Sequence, residues 1–164
     1  MNDIWEFEKE NLLYSNLETL TSIEMKDKIK TLKFIHLAIC GGTILIYLVL
    51  GNISLETLNI PSMDSSSNYF LAVPLVAFVL GNFLFKSQLK QVDKTMSLED
   101  NFGIYQTASI IRLAILEAAA FIILLMAPEY LLFGIFVIIY MMFLIPTETR
   151  MKTDLQYLDW DYIK

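Results

Sequence analysis

Two charged residues lie in the middle of an otherwise uncharged apolar segment, IIRLAILEAAAF at 110–121. Arg112 and Glu117 are the only formal charges between Gly103 and Pro128. In the hydrocarbon core of a membrane, an ionised side chain is costly unless it is paired, hydrated or neutralised. A carboxylate in such a place can carry a proton or a cation, and it can also join helices through hydrogen bonds.

Arg112 and Glu117 are not expected to pair with each other. Five residues turn an α-helix by about 140° and advance it by about 7.5 Å, so the two side chains face different directions. Arg112 lies nearer one end of the segment, and its long side chain can extend toward the membrane surface. Glu117 lies near the centre, so its partner is expected on another helix.

Polar residues of other apolar segments are expected at the depth of these two charges, and Thr43 is expected at the level of Glu117. Counting along each segment predicts a polar cluster inside a helix bundle, made of His36, Asn82, Arg112, Glu117 and Tyr140. Small residues let helices approach closely in lipid. Those predicted to serve helix packing are Gly41, Gly42, Ala114 and Ala118.

The predicted cluster has two open interpretations. Glu117 is the titrating group of a proton or cation site, or Arg112 and Glu117 form a structural clasp that fixes helix packing. We favour the clasp, because transporters generally offer more polar groups, broken helices and a larger cavity. His36 has a similar pair of interpretations, a pH switch or an ordinary hydrogen-bonded histidine, and we favour the second.

The elements that must position these residues follow from the distribution of charge. The chain has 164 residues, of which 55% are hydrophobic and 18% charged, with a mean hydropathy of +0.53. The charges are concentrated at the two ends and in one middle segment, which is typical of a membrane protein. Four apolar segments are each long enough to cross the hydrocarbon core; they are 34–51, 69–85, 104–127 and 130–146.

Lysine and arginine alternate between the connections. They occur in 1–33, in 86–103 and in the tail 147–164, and they are missing from 52–68 and from the short connection at 128–129. The positive-inside rule therefore predicts that both termini and the middle connection are cytoplasmic.

Local signals predict where the helices begin and end. Thr21-x-x-Glu24 has the pattern of a capping box, so the first helix is expected to begin near residue 22. Ser97-x-x-Asp100 repeats this pattern before the third span, and FLFKSQLKQVDKT (83–95) is expected to extend the second helix past the membrane. The predicted fold is all-α: a membrane four-helix bundle with both termini inside and with cytoplasmic extensions of its first three helices.

Several classes of function are disfavoured by composition. The net charge of −6 and the absence of a basic stripe argue against nucleic-acid binding. Cys40 is the only cysteine, which excludes an intramolecular disulfide and argues against a zinc site. No catalytic motif is found, so we expect no enzyme activity, no cofactor and no metal.

Two resemblances involve the residues around Glu117. The segments YQTASIIRLAILEAAAF (105–121) and FLIPTETRMKTDLQYL (143–158) resemble a group of uncharacterised small four-helix bacterial inner-membrane proteins, which implies a location but no activity. RLAILEAAA (112–120) also resembles the carboxylate helix of the proteolipid c subunits of rotary ATPases. That second resemblance implies that Glu117 is an ion-carrying acid.

The function we expect is that of a small integral inner-membrane protein, a non-enzymatic accessory or assembly subunit of a membrane complex. Its cytoplasmic hairpin and its acidic, aromatic tails would meet a protein partner, and the chain could also form a homo-oligomer. The alternative is a proton- or cation-translocating bundle that uses Glu117. The bilayer itself is the one partner that both hypotheses require.

Overall fold

The computed structural model describes residues 2–53 and 68–155, except for the side chains at 2–7, 10, 18 and 68. All regular structure in these two ranges is helical, with no strand. The helices are α1 (Asn2–Leu50), α2 (Ala72–Leu89), α3 (Phe102–Met126), α4 (Leu131–Phe143) and α5 (Glu148–Asp154). Short 3-10 turns precede α2 at Asn68–Leu71 and α4 at Pro128–Tyr130.

Helix α1 is much longer than the sequence signals predicted. It runs for 49 residues, which is about 73 Å at the rise of an α-helix. The predicted start near residue 22 is wrong, because the Thr21 hydroxyl donates to the Leu17 carbonyl at 2.6 Å inside the helix and does not cap it. Since the chain has no glycine or proline before Gly41, nothing in the sequence interrupts the helix earlier.

Three of these helices are long and apolar enough to cross a membrane, judged over the described residues. They are α1, α2 with its preceding turn, and α3. A fourth candidate combines 128–143 with α5, although α5 is bent by 93° from that segment. The apolar segments predicted at 69–85 and 104–127 therefore match helices to within a few residues, while 34–51 is only the second part of α1.

Helix α3 lies at the centre of the fold and packs against α1, α2 and α4. One apolar cluster fills the middle of the bundle, and it includes Tyr47, Leu116, Ala120, Leu131 and Met141. A second cluster fills one end of the bundle, where the lower part of α1 (residues 25–32) meets α3 and α5. It includes Met25, Ile29, Phe85, Phe102 and Met151. The outward faces carry exposed apolar side chains such as Val49, 78% exposed, and Phe143, 73% exposed, as expected of helices that face lipid.

The connection between α2 and α3 is held by its own polar side chains. The Asn101 side-chain nitrogen donates to the carbonyls of Asp93 at 2.8 Å and Ser97 at 3.2 Å. The Ser97 hydroxyl donates to the Asp100 carboxylate at 2.6 Å, and the Asp100 backbone N–H donates to that hydroxyl at 3.2 Å. The predicted reciprocal bonds of Ser97-x-x-Asp100 are confirmed, but they stabilise a turn that ends just before α3. Helix α2 ends at Leu89, so its predicted extension is shorter than expected.

Lys28 of α1 contacts the same connection. The Lys28 ammonium lies 2.8 Å from the Glu99 carboxylate and 3.1 Å from that of Glu24. This contact joins the lower part of α1 to the loop that precedes α3. Most of the polar loop MDSSSN at 63–68 and all of the tail from residue 156 lie outside the described residues.

Candidate functional site

Arg112 lies at the meeting point of three helices and is only 8% exposed. Its Nη1 donates to the Asn82 side-chain oxygen of α2 at 3.4 Å. Its guanidinium carbon lies 4.0 Å from the centre of the Phe85 ring, also on α2. A cation over an aromatic face gains energy when both are shielded from water, so Phe85 replaces part of the hydration that Arg112 loses on burial.

The same asparagine also binds helix α4. The Asn82 side-chain nitrogen donates to the Tyr140 hydroxyl at 2.9 Å, and that hydroxyl lies 3.2 Å from the Asn82 oxygen. The predicted proximity of Arg112, Asn82 and Tyr140 is therefore present, with Asn82 as the central residue. The Arg112 Nε is buried and has no hydrogen-bond partner among the residues that the structure describes. The Arg112 cluster, by which we mean Arg112, Asn82, Phe85 and Tyr140, thus links α2, α3 and α4.

Glu117 lies apart from this cluster, between α3 and α1. Its carboxylate accepts a hydrogen bond from the Thr43 hydroxyl at 3.2 Å. Thr43 is fully buried, and its hydroxyl also lies 2.9 Å from the Ile39 carbonyl. One hydroxyl proton is therefore shared between two acceptors. Within the described ranges Glu117 forms no ion pair, and it does not pair with Arg112.

His36 contacts a residue of its own helix. It is only 2% exposed, and its Nε2 lies 3.6 Å from the sulfur of Cys40 one turn further along α1. The cluster of five predicted from depth is therefore divided: Arg112, Asn82 and Tyr140 meet, while Glu117 binds Thr43 and His36 contacts Cys40.

Helix α1 presents a buried polar stripe to α3 and α4 that sequence reasoning did not identify. Its members are His36, Cys40, Thr43 and Tyr47, each at most 3% exposed. The Tyr47 hydroxyl donates to the Ala120 carbonyl of α3 at 2.6 Å. The alternating spacing of three and four residues was the available signal, because it keeps a single face of a helix turned to its neighbours.

The glycines that allow close helix contact are not those predicted. A Cβ on Gly41 or Gly42 would meet no atom within 4 Å, so neither residue permits close approach of another helix in the described structure. Ala114 and Ala118 are exposed, and Ala118 lines a surface groove between α3 and α2. The predicted packing role of the Gly41–Gly42 pair is therefore corrected.

Close approach occurs instead at Gly81 and Gly134. A Cβ on Gly81 would lie 3.4 Å from the Cγ of Arg112. A Cβ on Gly134 would overlap the Tyr47 hydroxyl and lie 2.9 Å from the ring carbon that carries it. Each glycine makes room for a polar side chain of a neighbouring helix, and not for a second small residue.

Comparisons of the chain with family models, with curated proteins and with solved structures found no match.

Proposed function

We propose that the protein is a four-span inner-membrane protein that serves as a non-enzymatic accessory or assembly subunit of a membrane complex. The observation that carries this proposal is the first part of α1. This helix continues far outside the bundle while it exposes large apolar side chains. We refer to residues 2–24 as the projecting segment.

The projecting segment is unlike the rest of α1. Every side chain described between Glu8 and Glu24 is exposed, and burial begins only at Met25. Leucines nonetheless recur at spacings of four and three, with Leu13 at 53%, Leu17 at 56% and Leu20 at 63% exposed. Such spacing places the three on one face of the helix, and contiguous exposed apolar surface marks interaction sites. A helix of a partner protein is the surface that fits it.

The fold supports the proposed orientation by gathering the basic segments at one end. Lys28 binds Glu99, so the lysine-rich part of α1 adjoins the α2–α3 connection. Met151 of α5 packs in the same cluster as Met25 and Phe102, which places the neighbouring Arg150 and Lys152 near this end as well. Positive charge on one side of a bundle favours the cytoplasmic side. The projecting segment then lies in the bacterial cytoplasm, within reach of a soluble domain or of a second membrane subunit.

In this proposal the Arg112 cluster serves packing. It joins three helices through one amide and one aromatic ring, which is the work of a structural clasp. It contains no carboxylate among the described residues, so an acid–base pair is not required for its role.

Site-specific photocrosslinking in cells tests the proposal. A photoreactive amino acid at Leu17 is expected to give one adduct of defined mass, while the same group at Ser15 is expected to give little. Ser15 is the matched control, because it is equally exposed and lies about 160° around the helix. The triple substitution Leu13→Ser, Leu17→Ser and Leu20→Ser is expected to abolish the complex with the partner protein.

The bundle must stay folded in that variant, and Cys40 reports on this. It is the only cysteine and is 3% exposed, so a thiol-reactive fluorophore labels it only on unfolding. Equal adducts from Leu17 and Ser15 would contradict a specific partner surface. If the only adduct contained two copies of this chain, the result would support a homo-oligomer and contradict an accessory subunit of another complex.

One observation favours the alternative, a proton- or cation-translocating bundle. Glu117 is half-buried and has the shared Thr43 hydroxyl as its one hydrogen-bond donor in the described structure. A carboxyl so lightly held can exchange a proton or a cation. Carbodiimide labelling of Glu117 in membrane vesicles, suppressed by sodium or by raised pH, would support this alternative. Its absence at every pH at which the protein stays folded would remove it.

A further inference from the structure

A cavity of about 610 Å³ opens where α2 ends and α5 passes it. Its apolar wall includes Phe85, Leu89 and Leu155. Its polar lining residues are Lys86, Lys90, Lys94, Thr153 and Asp154. Lys86 and Lys90 outnumber Asp154, the one acidic residue of the lining, and this positive balance suits an anionic ligand.

Two of these lysines are neighbours on the surface of α2. Lys86 and Lys90 are one helical turn apart, so their side chains leave the same face of α2. Both are exposed, and neither forms an ion pair within the described residues. The Asp154 carboxylate lines the same cavity but lies beyond ion-pair distance of both. The two lysines therefore line the cavity from one face of α2.

An apolar groove leads along α2 to this pair. It has a volume of about 390 Å³ and is lined by Leu75, Val76, Val79, Leu80 and Phe83. Phe83 precedes Lys86 by three residues and Lys90 by seven, so the groove and the lysines share one face of the helix. The candidate span Tyr69–Leu89 also ends at this cavity. The face thus changes from apolar to cationic toward the end of this candidate span.

We propose that this face binds one anionic phospholipid, with the phosphate held by Lys86 and Lys90 and an acyl chain along the groove from Phe83 to Leu75. The ligand has the same division as the surface, an apolar chain joined to an anionic head group. Basic pockets between helices bind such head groups through charge attraction to the lysines. This site is independent of the partner surface and of Glu117, and it extends the proposed function.

Native mass spectrometry of the full chain in detergent tests the proposal. The probes are phosphatidylglycerol and phosphatidylcholine with identical acyl chains. We expect phosphatidylglycerol to bind more tightly, and we expect Lys86→Gln with Lys90→Gln to weaken its binding by about thirtyfold. The matched control is Lys26→Gln with Lys30→Gln, two exposed lysines one turn apart on α1, which is expected to keep the preference. Asp154→Asn is expected to strengthen it.

Four outcomes would overturn the proposal. The first is equal binding of the two lipids, and the second is an equal loss in the control pair, which would mean general surface charge. The third is binding of glycerol phosphate as tight as that of the lipid, which would leave the apolar groove without a role. The fourth is preference only after truncation at Leu155, which would make the tail 156–164, with its two aspartates, the occupant of the cavity.

Discussion

The two charged residues of α3 lie five residues apart, yet they differ in burial and in the number of contacts that hold them. Arg112 is 8% exposed and is held by an amide, an aromatic ring and, through the amide, a tyrosine. Glu117 remains half-buried and shares one threonine hydroxyl with a backbone carbonyl. A buried group with several fixed partners is costly to disturb, while a half-buried group with one shared partner can change partners at a lower cost. The comparison separates a charge that is fixed by several contacts from one that has a single shared hydrogen bond.

The largest expected effect comes from closing the space beside Tyr47, one turn along α1 from Thr43. Gly134→Ala places a methyl group on the Tyr47 hydroxyl, which forces the ring away and breaks its bond to the Ala120 carbonyl. We expect a loss of about 2–4 kcal/mol in the free energy of unfolding. The measurement is thermal unfolding in detergent, and the labelling of the buried Cys40 thiol reports the fraction unfolded.

Gly41→Ala is the matched control for this substitution. A methyl group there meets no atom within 4 Å, so the better helix propensity of alanine should stabilise the protein by up to about 1 kcal/mol. Similar losses at both glycines would show that small size, and not the contact with Tyr47, is what matters. The contact of Tyr47 with Gly134 would then not be what holds α1 in place beside Glu117.

The next effect breaks the Arg112 cluster at its centre. Asn82→Leu leaves the Arg112 Nη1 and the Tyr140 hydroxyl without their shared partner. Because a buried charged donor is expensive to leave unsatisfied, we expect a loss of about 2–3 kcal/mol, measured by the same unfolding assay. Tyr140→Phe keeps the Arg112–Asn82 bond and should lose only about 1 kcal/mol. Equal losses would mean that Tyr140, and not Asn82, organises the cluster.

A smaller effect is expected on the Glu117 side. Thr43→Val removes the hydroxyl that Glu117 accepts from and keeps the size of the side chain. We expect a loss of at most about 1 kcal/mol, because Glu117 is half-buried and can reorient. Carbodiimide reactivity of Glu117 should rise at the same time. A loss as large as that of Asn82→Leu would abolish the distinction between the two charges.

The smallest effect concerns pH and a carboxyl group that lies outside the four proposed spans. Partial burial raises the pKa of the Asp154 carboxyl above its ordinary value of 3.8, although the charges of Arg112 and Arg150 oppose the rise. The folded protein therefore holds this proton more tightly than the unfolded chain, so stability falls as pH rises from 3.8 through the raised pKa. We expect Asp154→Asn to raise the unfolding temperature by a few degrees at most at pH 7.

That advantage should disappear when unfolding is measured below the ordinary carboxyl value, because Asp154 is then protonated in both states. An advantage that persists in acid would assign the effect to the shape of the side chain. No advantage at pH 7 would mean that the positive charge of Arg112 reaches Asp154 strongly enough to balance its burial.

The sequence by itself determined the all-helical class of fold and the positions of two long apolar helices, α2 and α3. Long uncharged apolar segments have few alternatives, because a backbone in lipid must satisfy its own hydrogen bonds, and helices do so locally. The separation of Arg112 from Glu117 followed from helix geometry alone, and so did the level of Thr43. The reciprocal bonds of Ser97 and Asp100 were equally local.

Only the tertiary structure decided which polar groups meet and how far α1 extends. The Thr21-x-x-Glu24 pattern failed because a threonine hydroxyl can donate to the preceding turn as readily as it can cap a helix. Depth alone grouped five polar residues, but helix rotation divided them, since residues at one level can face different neighbours. Gly134 serves close packing and Gly41 does not. That role depends on which atoms of a neighbouring helix lie opposite the glycine, and these are set by the rotation of one helix against the next.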